Sequence, residues 1–582
     1  MSKISYLNVF GGTFFIAVSI LINEPVLAQI LAPRFFTQQI PIIPQNPQIP
    51  SLLEEPQQEL QSPSLIPTPE IPKGNQEKIK VEKFIFKGNT VLSTQKLESV
   101  VASYINREIT FSELLEARTA VTNLYIQQGY VTSGAFFPVI ENQAILISKG
   151  VVTIQIVEGK LEEINIVGSA RLKNYIRERL RTNTTKVFNS KNLLIGLQLL
   201  QTDPLIAKIS AVVDKGSQLN TSILNVTVKP RQPLKIEAVL DNSRSPAIGT
   251  FQRRVELSDA NLLGLGDRLS LGYRNTDGSN TLTTSYSIPI NPQNGTVQFF
   301  YANSLANVVE RPFSKLDILS NARAYEVTFR QPILQQVNSN STQEFALGLT
   351  ASRLESESSL LNSPFPLSVG ADSMGRTRIS AIRFFQEWTQ RHRQGALVAR
   401  SQLSLGVGAI DATINKSAPD SRFLSWRGQV AWLRRLARNG TSLLVRTDIQ
   451  LADRPLVTLE QFGLGGAISV RGYRQDTFLT DNAFLLSAQV LIPIWRTDTE
   501  QLDVIPFFDM GTSWNKNADR DNGIAISTGT LASIGLGIRY QFAERLSANL
   551  DWGIPLIEVN TNSNLRTWQE NGIYFSINYR LF

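Results

Sequence analysis

The spacing of apolar residues changes near residue 234 of the chain. Before that point apolar residues recur every three or four positions, as in amphipathic helices, and after it they alternate with polar ones. In LASIGLGIRY (531–540) the even positions are apolar, and LLVRTDIQL (443–451) and LSANLDWG (546–553) alternate in the same way. The polar faces carry Arg, Asp and Gln, which are costly inside a packed sandwich, so the pattern predicts strands of a membrane barrel.

The alternating region predicts a transmembrane antiparallel β-barrel of sixteen strands over residues 231–582. An even strand number is the rule in bacterial single-chain barrels. The predicted strands begin near Leu234, Thr250, Gly266, Thr281, Thr296, Arg323, Glu344, Thr377, Gly395, Arg422, Thr441, Asn482, Leu502, Thr530, Arg545 and Gly572.

Two small α+β modules precede the barrel, at 79–159 and 160–230. Each has the order strand-helix-helix-strand-strand, which makes a weak repeat of roughly 75 residues. In the first module a strand at 81–90 is followed by helical patterns at 94–105 and 111–130, and by strands at 143–148 and 151–159. Gly129 stands where a helix C-terminus needs a glycine.

The first 28 residues predict an export signal. Lys3 precedes an apolar stretch that reaches Ile22, and Val26 and Ala28 are small enough for a cleavage site before Gln29. Residues 29–78 are rich in Pro, Gln, Ser and Glu, which predicts an extended linker of the polyproline type. The chain is therefore expected to leave the cytoplasm.

Composition narrows the chemistry that the chain can perform. There is no Cys and one His, His392, which lies in the polar run TQRHRQ, so thiol chemistry, His-based triads and most metal sites are excluded. The net charge is +8, but Lys and Arg are scattered, so we expect no nucleic-acid partner. Beyond the N-terminus no run of 18 apolar residues occurs, which excludes helical membrane spans. We expect no enzyme activity, cofactor or metal.

Two motifs predict a functional contact in the barrel. Val470-Arg471-Gly472-Tyr473 lies in a Gly-rich connection of about thirty residues, a length that is often functional. Phe507, Asp509 and Gly511 alternate with lipid-phase residues and therefore point into the lumen. A carboxylate in a narrow pore needs a cation, and Arg471 on a loop folded inward would supply one through a bidentate contact.

Three regions of the chain resemble known modules of outer-membrane proteins. Phe86, Gly88 and Asn89, with Gly129 and Tyr130 after the second helix, resemble the POTRA domain, the periplasmic module of assembly and secretion proteins. The second copy resembles it at residues 164–168. The barrel entry, with Asp241-Asn242 and 261–267, resembles the start of the barrel in two-partner secretion transporters.

Nearly the whole mature chain resembles the haemolysin activator and filamentous haemagglutinin exporter family of two-partner secretion. The resemblance implies an outer-membrane protein with periplasmic POTRA domains that carries an unfolded secreted partner protein to the cell surface, with Arg471 contacting Asp509. It also implies contact with outer-membrane lipid, insertion by the barrel assembly machinery, and a monomer.

Three other functions remain as alternatives. An insertase of the BamA type usually has more POTRA domains, a porin has none, and an outer-membrane enzyme would need catalytic groups that are not evident.

Two features depart from the family pattern. The family often has a plug helix, whereas residues 29–78 are Pro-rich. The terminal Phe582 is one residue out of step with the lipid-facing phase of the last strand.

Overall fold

The computed structural model of this protein describes residues 78–138, 147–148, 150–184, 186–218, 220–338, 340–516, 528–559 and 567–581. The predicted signal, nearly all of the linker, any plug helix and Phe582 lie outside these residues. The described chain forms two units that divide between Arg231 and Gln232.

The first module of the smaller unit packs two helices against a sheet. Helix α1 spans Thr94–Val101 and α2 spans Phe111–Gln127, with a 3-10 turn at Ala102–Tyr104 between them. The strands are Ile79–Val81, Lys83–Lys87, Arg107–Ile109, Gly134–Phe136, Ile147–Ser148 and Val151–Val157. Lys83–Lys87 runs parallel to Val151–Val157, and Gly134–Phe136 pairs with the other edge of that strand. Helical faces containing Leu97, Leu114 and Val121 fill the core.

Local sequence sets the ends of these helices. Ser93 accepts a hydrogen bond from the backbone N–H of Lys96 at the start of α1. At the start of α2 Thr110 and Glu113 exchange side-chain and backbone hydrogen bonds, which is a capping box. Gly129 follows α2 with φ +95°, as expected for a residue just past a helix C-terminus.

The second module repeats this plan in simpler form. Its strands are Lys160–Val167, Ile206–Lys215 and Thr221–Pro230, and its helices are α3, Lys173–Asn183, and α4, Ser190–Gln201. Thr221–Pro230 is the central strand, parallel to the first strand and antiparallel to the second. No helix in the described ranges is long and apolar enough to cross a membrane.

The larger unit is a closed antiparallel barrel, and within its described residues sixteen strands form the wall, as predicted. A two-residue strand, Ser363–Pro364, also pairs with the seventh. The wall strands are β1 Leu234–Asp241, β2 Gln252–Asp259, β3 Arg268–Asn275, β4 Ser279–Pro289, β5 Thr296–Asn307, β6 Leu319–Asn338, β7 Ser341–Leu360, β8 Arg376–His392, β9 Gly395–Val407, β10 Leu424–Arg435, β11 Ser442–Ala452, β12 Asn482–Arg496, β13 Glu500–Trp514, β14 Gly529–Phe542, β15 Leu546–Pro555 and β16 Ile573–Arg580.

The predicted strand starts agree with these bounds to within four residues, the largest difference being Arg323 against Leu319. The side chains of the strands also point alternately outward and inward, as predicted. Ile534, Leu536 and Ile538 of β14 are exposed on the outside, whereas Ser533 is fully buried on the inside. Alternation along each strand therefore separates a lipid-facing surface from a polar lumen.

The ring closes between its first and last strands. β1 pairs with β16 in an antiparallel register that runs from Glu237 opposite Arg580 to Asp241 opposite Ser576. Odd-numbered and even-numbered strands run in opposite directions, so the connections after odd-numbered strands all lie at one end of the barrel.

Candidate functional site: a loop held inside the barrel

The connection between β11 and β12, residues 453–481, folds back into the barrel lumen. We call it the inner loop. Two short strands, Phe462–Leu464 and Phe478–Thr480, pair within it. Leu464, Val470 and Tyr473 of this loop form a buried cluster with Leu485 of β12 and Leu531 of β14. The inner loop is therefore packed against the wall.

Arg471 and Asp509 meet in a bidentate ion pair. Arg471 Nε donates to Asp509 Oδ2 at 2.7 Å and Nη2 donates to Oδ1 at 2.9 Å. The backbone N–H of Arg471 also donates to Oδ2, at 3.2 Å. Asp509 is 0% exposed and Arg471 4%. The structure thus brings the two predicted residues together, with the fork geometry that distinguishes Arg from Lys.

The two other residues of the β13 motif, Phe507 and Gly511, pack against Arg471 and against the inner loop. The guanidinium carbon of Arg471 lies 3.4 Å from the centre of the Phe507 ring, which is a cation–π stack. A Cβ on Gly511 would lie 2.4 Å from Leu464 Cδ1 of the inner loop, so a glycine is needed there. Phe507, Asp509 and Gly511 therefore support the inner loop by three different contacts.

Gly472 and Tyr473 fix the backbone next to Arg471. Gly472 has φ +95°, a conformation that favours glycine, and its N–H donates to Tyr574 Oη at 3.1 Å. Tyr473 Oη shares its single hydrogen between the carbonyl oxygens of Ala532 and Ile557, at 2.8 and 2.9 Å. The motif is thus tied to β14, to β16 and to the connection after β15.

Sequence reasoning missed several neighbours of the ion pair. Ser487 Oγ of β12 donates to Asp509 Oδ1 at 2.6 Å. Asp551 of β15 lies 3.6 Å from Arg471 Nη1, so Arg471 stands between two carboxylates. The lumen-facing phase of β12 and β15 was the only signal in the sequence that pointed to these residues.

Three further ion pairs hold the inner loop, through Glu460 and Arg474, and none was predicted. Glu460 accepts from Arg383 of β8 at 2.6 Å, and both side chains are less than a tenth exposed. Arg474 binds Glu310, in the connection between β5 and β6, at 2.7 Å, and Glu570, in the connection between β15 and β16, at 3.4 Å. The inner loop is therefore fastened to the wall at two places and to two neighbouring connections.

The residues at the barrel entry stabilise a turn and the junction between β1 and β16. Asp267 accepts hydrogen bonds from the backbone N–H groups of Leu263 and Leu265 and is fully buried. Asn242 accepts from the N–H of Phe575 and donates to the carbonyl of Ile573, both on β16.

The POTRA-like residues lie within the smaller unit, where they shape its first module. Gly88 has φ +89°, and a Cβ there would lie 2.5 Å from the carbonyl oxygen of Ile156. Asn89 donates to the carbonyl of Leu92, and Phe86 is buried in the core. The turn that follows Gly88 is bound by Glu158.

Glu158 accepts hydrogen bonds from two backbone N–H groups and from Tyr125. The N–H groups of Thr90 and Val91 donate at 2.7 and 3.0 Å, and Tyr125 Oη donates at 3.0 Å. Burial acts to raise the pKa of Glu158, but these hydrogen bonds to the ionised form outweigh it and hold the pKa below its ordinary value.

Gly129 and Tyr130 lie where the two modules of the smaller unit meet. The backbone N–H of Ser190 donates to the carbonyl of Gly129 at 2.8 Å, and Asn189 Nδ2 donates to that of Gln128 at 3.1 Å. Tyr130 packs edge-on against Tyr125, with ring centres 6.0 Å apart. Because the last carbonyls of α2 face the start of α4, the opposite ends of the two helix dipoles meet.

A closed sixteen-stranded barrel with an inner loop fastened by Arg471 and Asp509, preceded by α+β modules, defines the class of outer-membrane transporters with POTRA domains. A family model described as "Haemolysin secretion/activation protein ShlB/FhaC/HecB" matches residues 220–540, and one for the ShlB-type POTRA domain matches residues 79–159. The chain belongs to this haemolysin secretion and activation family. The predicted family and the outer-membrane location are thereby confirmed.

Curated relatives are more distant in sequence. The chain is 24% identical over 401 residues to the outer membrane transporter CdiB of Dickeya dadantii, a match that covers 67% of this chain and 68% of that protein. It is 22% identical over 196 residues to the heme/hemopexin transporter protein HuxB of Haemophilus influenzae, which covers 33% of this chain and 34% of that protein.

Solved structures show the same fold. CdiB from Escherichia coli superimposes with a TM-score of 0.63 at 20% identity, covering 90% of this chain and 94% of that one. BamA from Haemophilus ducreyi, lacking POTRA domains 1–3, superimposes with a TM-score of 0.51 at 12% identity, covering 87% and 100%. The barrel architecture is thus shared with a transporter and with BamA.

Proposed function

We propose that this chain exports one unfolded partner protein from the periplasm to the cell surface through its own barrel. The observation that carries the proposal is the inner loop, which occupies the lumen and is held there by reversible ion pairs rather than by covalent bonds. A polypeptide that passes through the lumen has to displace at least part of this loop. The Arg471–Asp509 pair then sets the resting position to which the loop returns.

The smaller unit supports capture of the partner. Ile206–Lys215 is an edge strand of ten residues, and Val212 on it is exposed. An unfolded chain can add to such an edge through backbone hydrogen bonds with little dependence on its sequence. We infer that the POTRA modules hold the partner extended in the periplasm before it enters the barrel.

The remaining partners follow from the same proposal. The barrel contacts outer-membrane lipid through its exposed apolar face, is inserted by the barrel assembly machinery, and works as a monomer without a nucleic-acid partner. We infer that it catalyses no chemical step. His392, the single histidine of the chain, ends β8 opposite Ser341 and Gly395.

The experiment follows a secreted protein encoded beside this gene. Cells that express both proteins should release the partner into the medium. A chain that lacks residues 80–229 should still reach the outer membrane as a heat-modifiable barrel, but it should release no partner. Release that survives this deletion would place partner recognition in the barrel and contradict capture by the POTRA modules.

A complementation arm separates export from insertase activity, because BamA shares the barrel fold. Cells depleted of their own insertase should not recover the assembly of other outer-membrane barrels when this chain is supplied. Recovery, together with no release of the neighbouring secreted protein, would overturn the proposed export function in favour of insertion.

A further inference from the structure

A second lumen-facing arginine lies close to the Arg471–Asp509 pair. Arg446 of β11 stands in one cross-strand row with Ser487 of β12 and Asp509 of β13. Two strand spacings separate the backbones of Arg446 and Asp509, which is about 10 Å. Because the small side chain of Ser487 stands between them, the guanidinium of Arg446 can reach the carboxylate of Asp509.

Arg446 has no carboxylate of its own in this arrangement. It makes no ion pair with any residue that the structure describes, and its Nε is buried without an acceptor. Asp448, two positions further along the same face of β11, is already bound by Arg427 at 2.7 and 2.9 Å. A buried guanidinium without a partner is costly, so its place in the wall calls for an explanation.

Four neighbouring charges act on Arg446. Asp509 and Asp551 attract it, whereas Arg471 and Arg539 repel it. Both oxygens of Asp509 are bound by Arg471, so Arg446 gains this carboxylate only when Arg471 leaves. Asp551 keeps a cation on the wall in either case, because Arg539 lies diagonally across from it on β14.

A lumen-facing glutamate stands in a corresponding position beside the Arg383–Glu460 pair. Glu326 lies on β6, two positions before Thr328 and on the same face. The hydroxyl of Thr328 lies 2.9 Å from that of Thr350 on β7, and Thr350 is the register partner of Arg383. Glu326 therefore lies near Arg383 on the inner wall.

The charges around Glu326 repeat the situation of Arg446 with the signs reversed. Arg383 and Arg400 attract Glu326, whereas Glu460 of the inner loop repels it. Glu326 forms no ion pair in the part of the chain that the structure describes. Arg400 is bound by Glu387 at 2.5 Å, so Arg383 is the cation that becomes available when Glu460 leaves.

We propose that Arg446 and Glu326 are replacement partners, which neutralise the inner wall once the inner loop has left its resting position. Arg446 then binds Asp509, and Glu326 binds Arg383. Since a buried charge without a partner is costly, these replacements lower the free energy of the displaced state relative to the resting one. Both are positioning residues, and the inference rests on the proposed function, in which a passing polypeptide displaces the loop.

Opening is measured on the purified full-length protein in planar bilayers, as the frequency of large-conductance events. Arg446→Gln and Glu326→Gln should each lower this frequency about tenfold, as expected when a charge-assisted hydrogen bond of the open state is lost. Arg446→Lys keeps the charge and should retain most openings. Arg274→Gln on β3 is the matched control and should behave as wild type. Arg274 also has a buried Nε without an acceptor among the described residues, but β3 lies on the opposite side of the ring.

A double-mutant cycle tests the contact between Arg446 and Asp509. In the wild-type background Arg446→Gln should leave the thermal unfolding temperature nearly unchanged, because Arg446 has no partner there. In the Arg471→Ala background Asp509 is free to take Arg446, so the same change should lower the unfolding temperature by several degrees. A merely structural role of Arg446 would lower it equally in both backgrounds. If Arg471→Ala does not fold, the cycle is measured with Arg471→Gln.

Each pairing can be overturned separately. An opening frequency of Arg446→Gln or Glu326→Gln equal to that of Arg274→Gln would overturn the corresponding pairing. Equal effects of Arg446→Gln in the two backgrounds would overturn its contact with Asp509. Both measurements use the purified chain without its partner protein, so a failure of export alone leaves them unaffected. Unchanged openings together with intact export would contradict the replacement partners but not the proposed function.

Discussion

Arg474 and Glu310 form a buried ion pair that joins two connections 164 positions apart in the sequence. Arg474 follows directly after the Val470–Tyr473 motif, and Glu310 lies between β5 and β6. Glu570 contacts the same guanidinium from the connection after β15. Since β1 starts at the periplasmic side, the connections after odd-numbered strands lie at the surface end of the barrel, and the three charges lie together there. They hold the inner loop to that end separately from the Arg471–Asp509 pair.

Removing the charge of Arg474 should loosen the surface end. Arg474→Gln leaves two buried carboxylates without a cation, which costs about 3–5 kcal/mol for a well-buried pair. The purified protein should then show a larger and noisier conductance in planar bilayers. Arg454→Gln in the same loop is the control, since its ion pair with Asp453 is largely exposed. An unchanged conductance of Arg474→Gln would contradict a closing role.

The Arg471–Asp509 pair should behave as one unit in mutation experiments. Arg471→Ala and Asp509→Ala should each lower partner release strongly, and the double variant should be little worse than either, because the second change removes a partner that has already lost its contact. Release and thermal unfolding of the purified barrel are measured for all three. Additive losses in the double variant would show that the two residues act independently.

A methyl group at Gly535 should displace the Phe507 ring and so disturb its stack with Arg471. A Cβ at this position would lie 2.2 Å from Phe507 Cζ and 2.3 Å from the carbonyl oxygen of Trp552. Gly535→Ala is therefore expected to destabilise the barrel by about 1–3 kcal/mol, as overpacking does, and to lower partner release. Gly529→Ala on the same strand is the control, with its nearest contact at 3.3 Å. Similar unfolding temperatures for both variants would contradict this packing argument.

The first POTRA module should lose stability in acid through Glu158. Its pKa is depressed in the folded state, so its contribution is present above the unfolded value of about 4.3 and is lost as the pH falls through the lower folded value. At pH 7 Glu158→Gln should destabilise the module by about 1–2 kcal/mol after solvent screening. The difference from wild type should shrink as the pH falls below the ordinary pKa of a glutamate and through the lower folded value. Limited proteolysis of the full-length chain at neutral and at acidic pH measures this, with Glu178→Gln on the surface of α3 as control.

The barrel was predictable because alternation is a local property of the sequence. Each strand shows its lipid face within about ten residues. Arg471 and Asp509 were predictable because the Val470–Tyr473 motif and the lumen phase of β13 both single them out. Phe507 and Gly511 were predictable neighbours as well, because they alternate with lipid-facing residues on β13 and therefore point into the lumen beside Asp509.

The other two fastenings of the inner loop were not predictable from local pattern. Glu310, Glu460 and Glu570 are single acidic residues in polar connections, where a charge is usually solvated. Only the path of the inner loop through the lumen brings Glu460 to Arg383, and that path depends on the whole ring. The roles of Gly88 and Asn89 in a backbone turn were equally hidden, since the contact of Gly88 with Ile156 spans the module.

The pairing of the first and last strands also has a consequence for how the barrel assembles. Arg580 binds Glu237 across a sequence separation of 343 residues, so the closing register has a very high contact order. Contacts of such separation are expected to form late, after the intervening strands have paired. The inner loop belongs to residues 453–481 and would have to enter while the wall is still open along one side. Closure of the ring is therefore expected to be the slow step in folding, and it traps the inner loop inside.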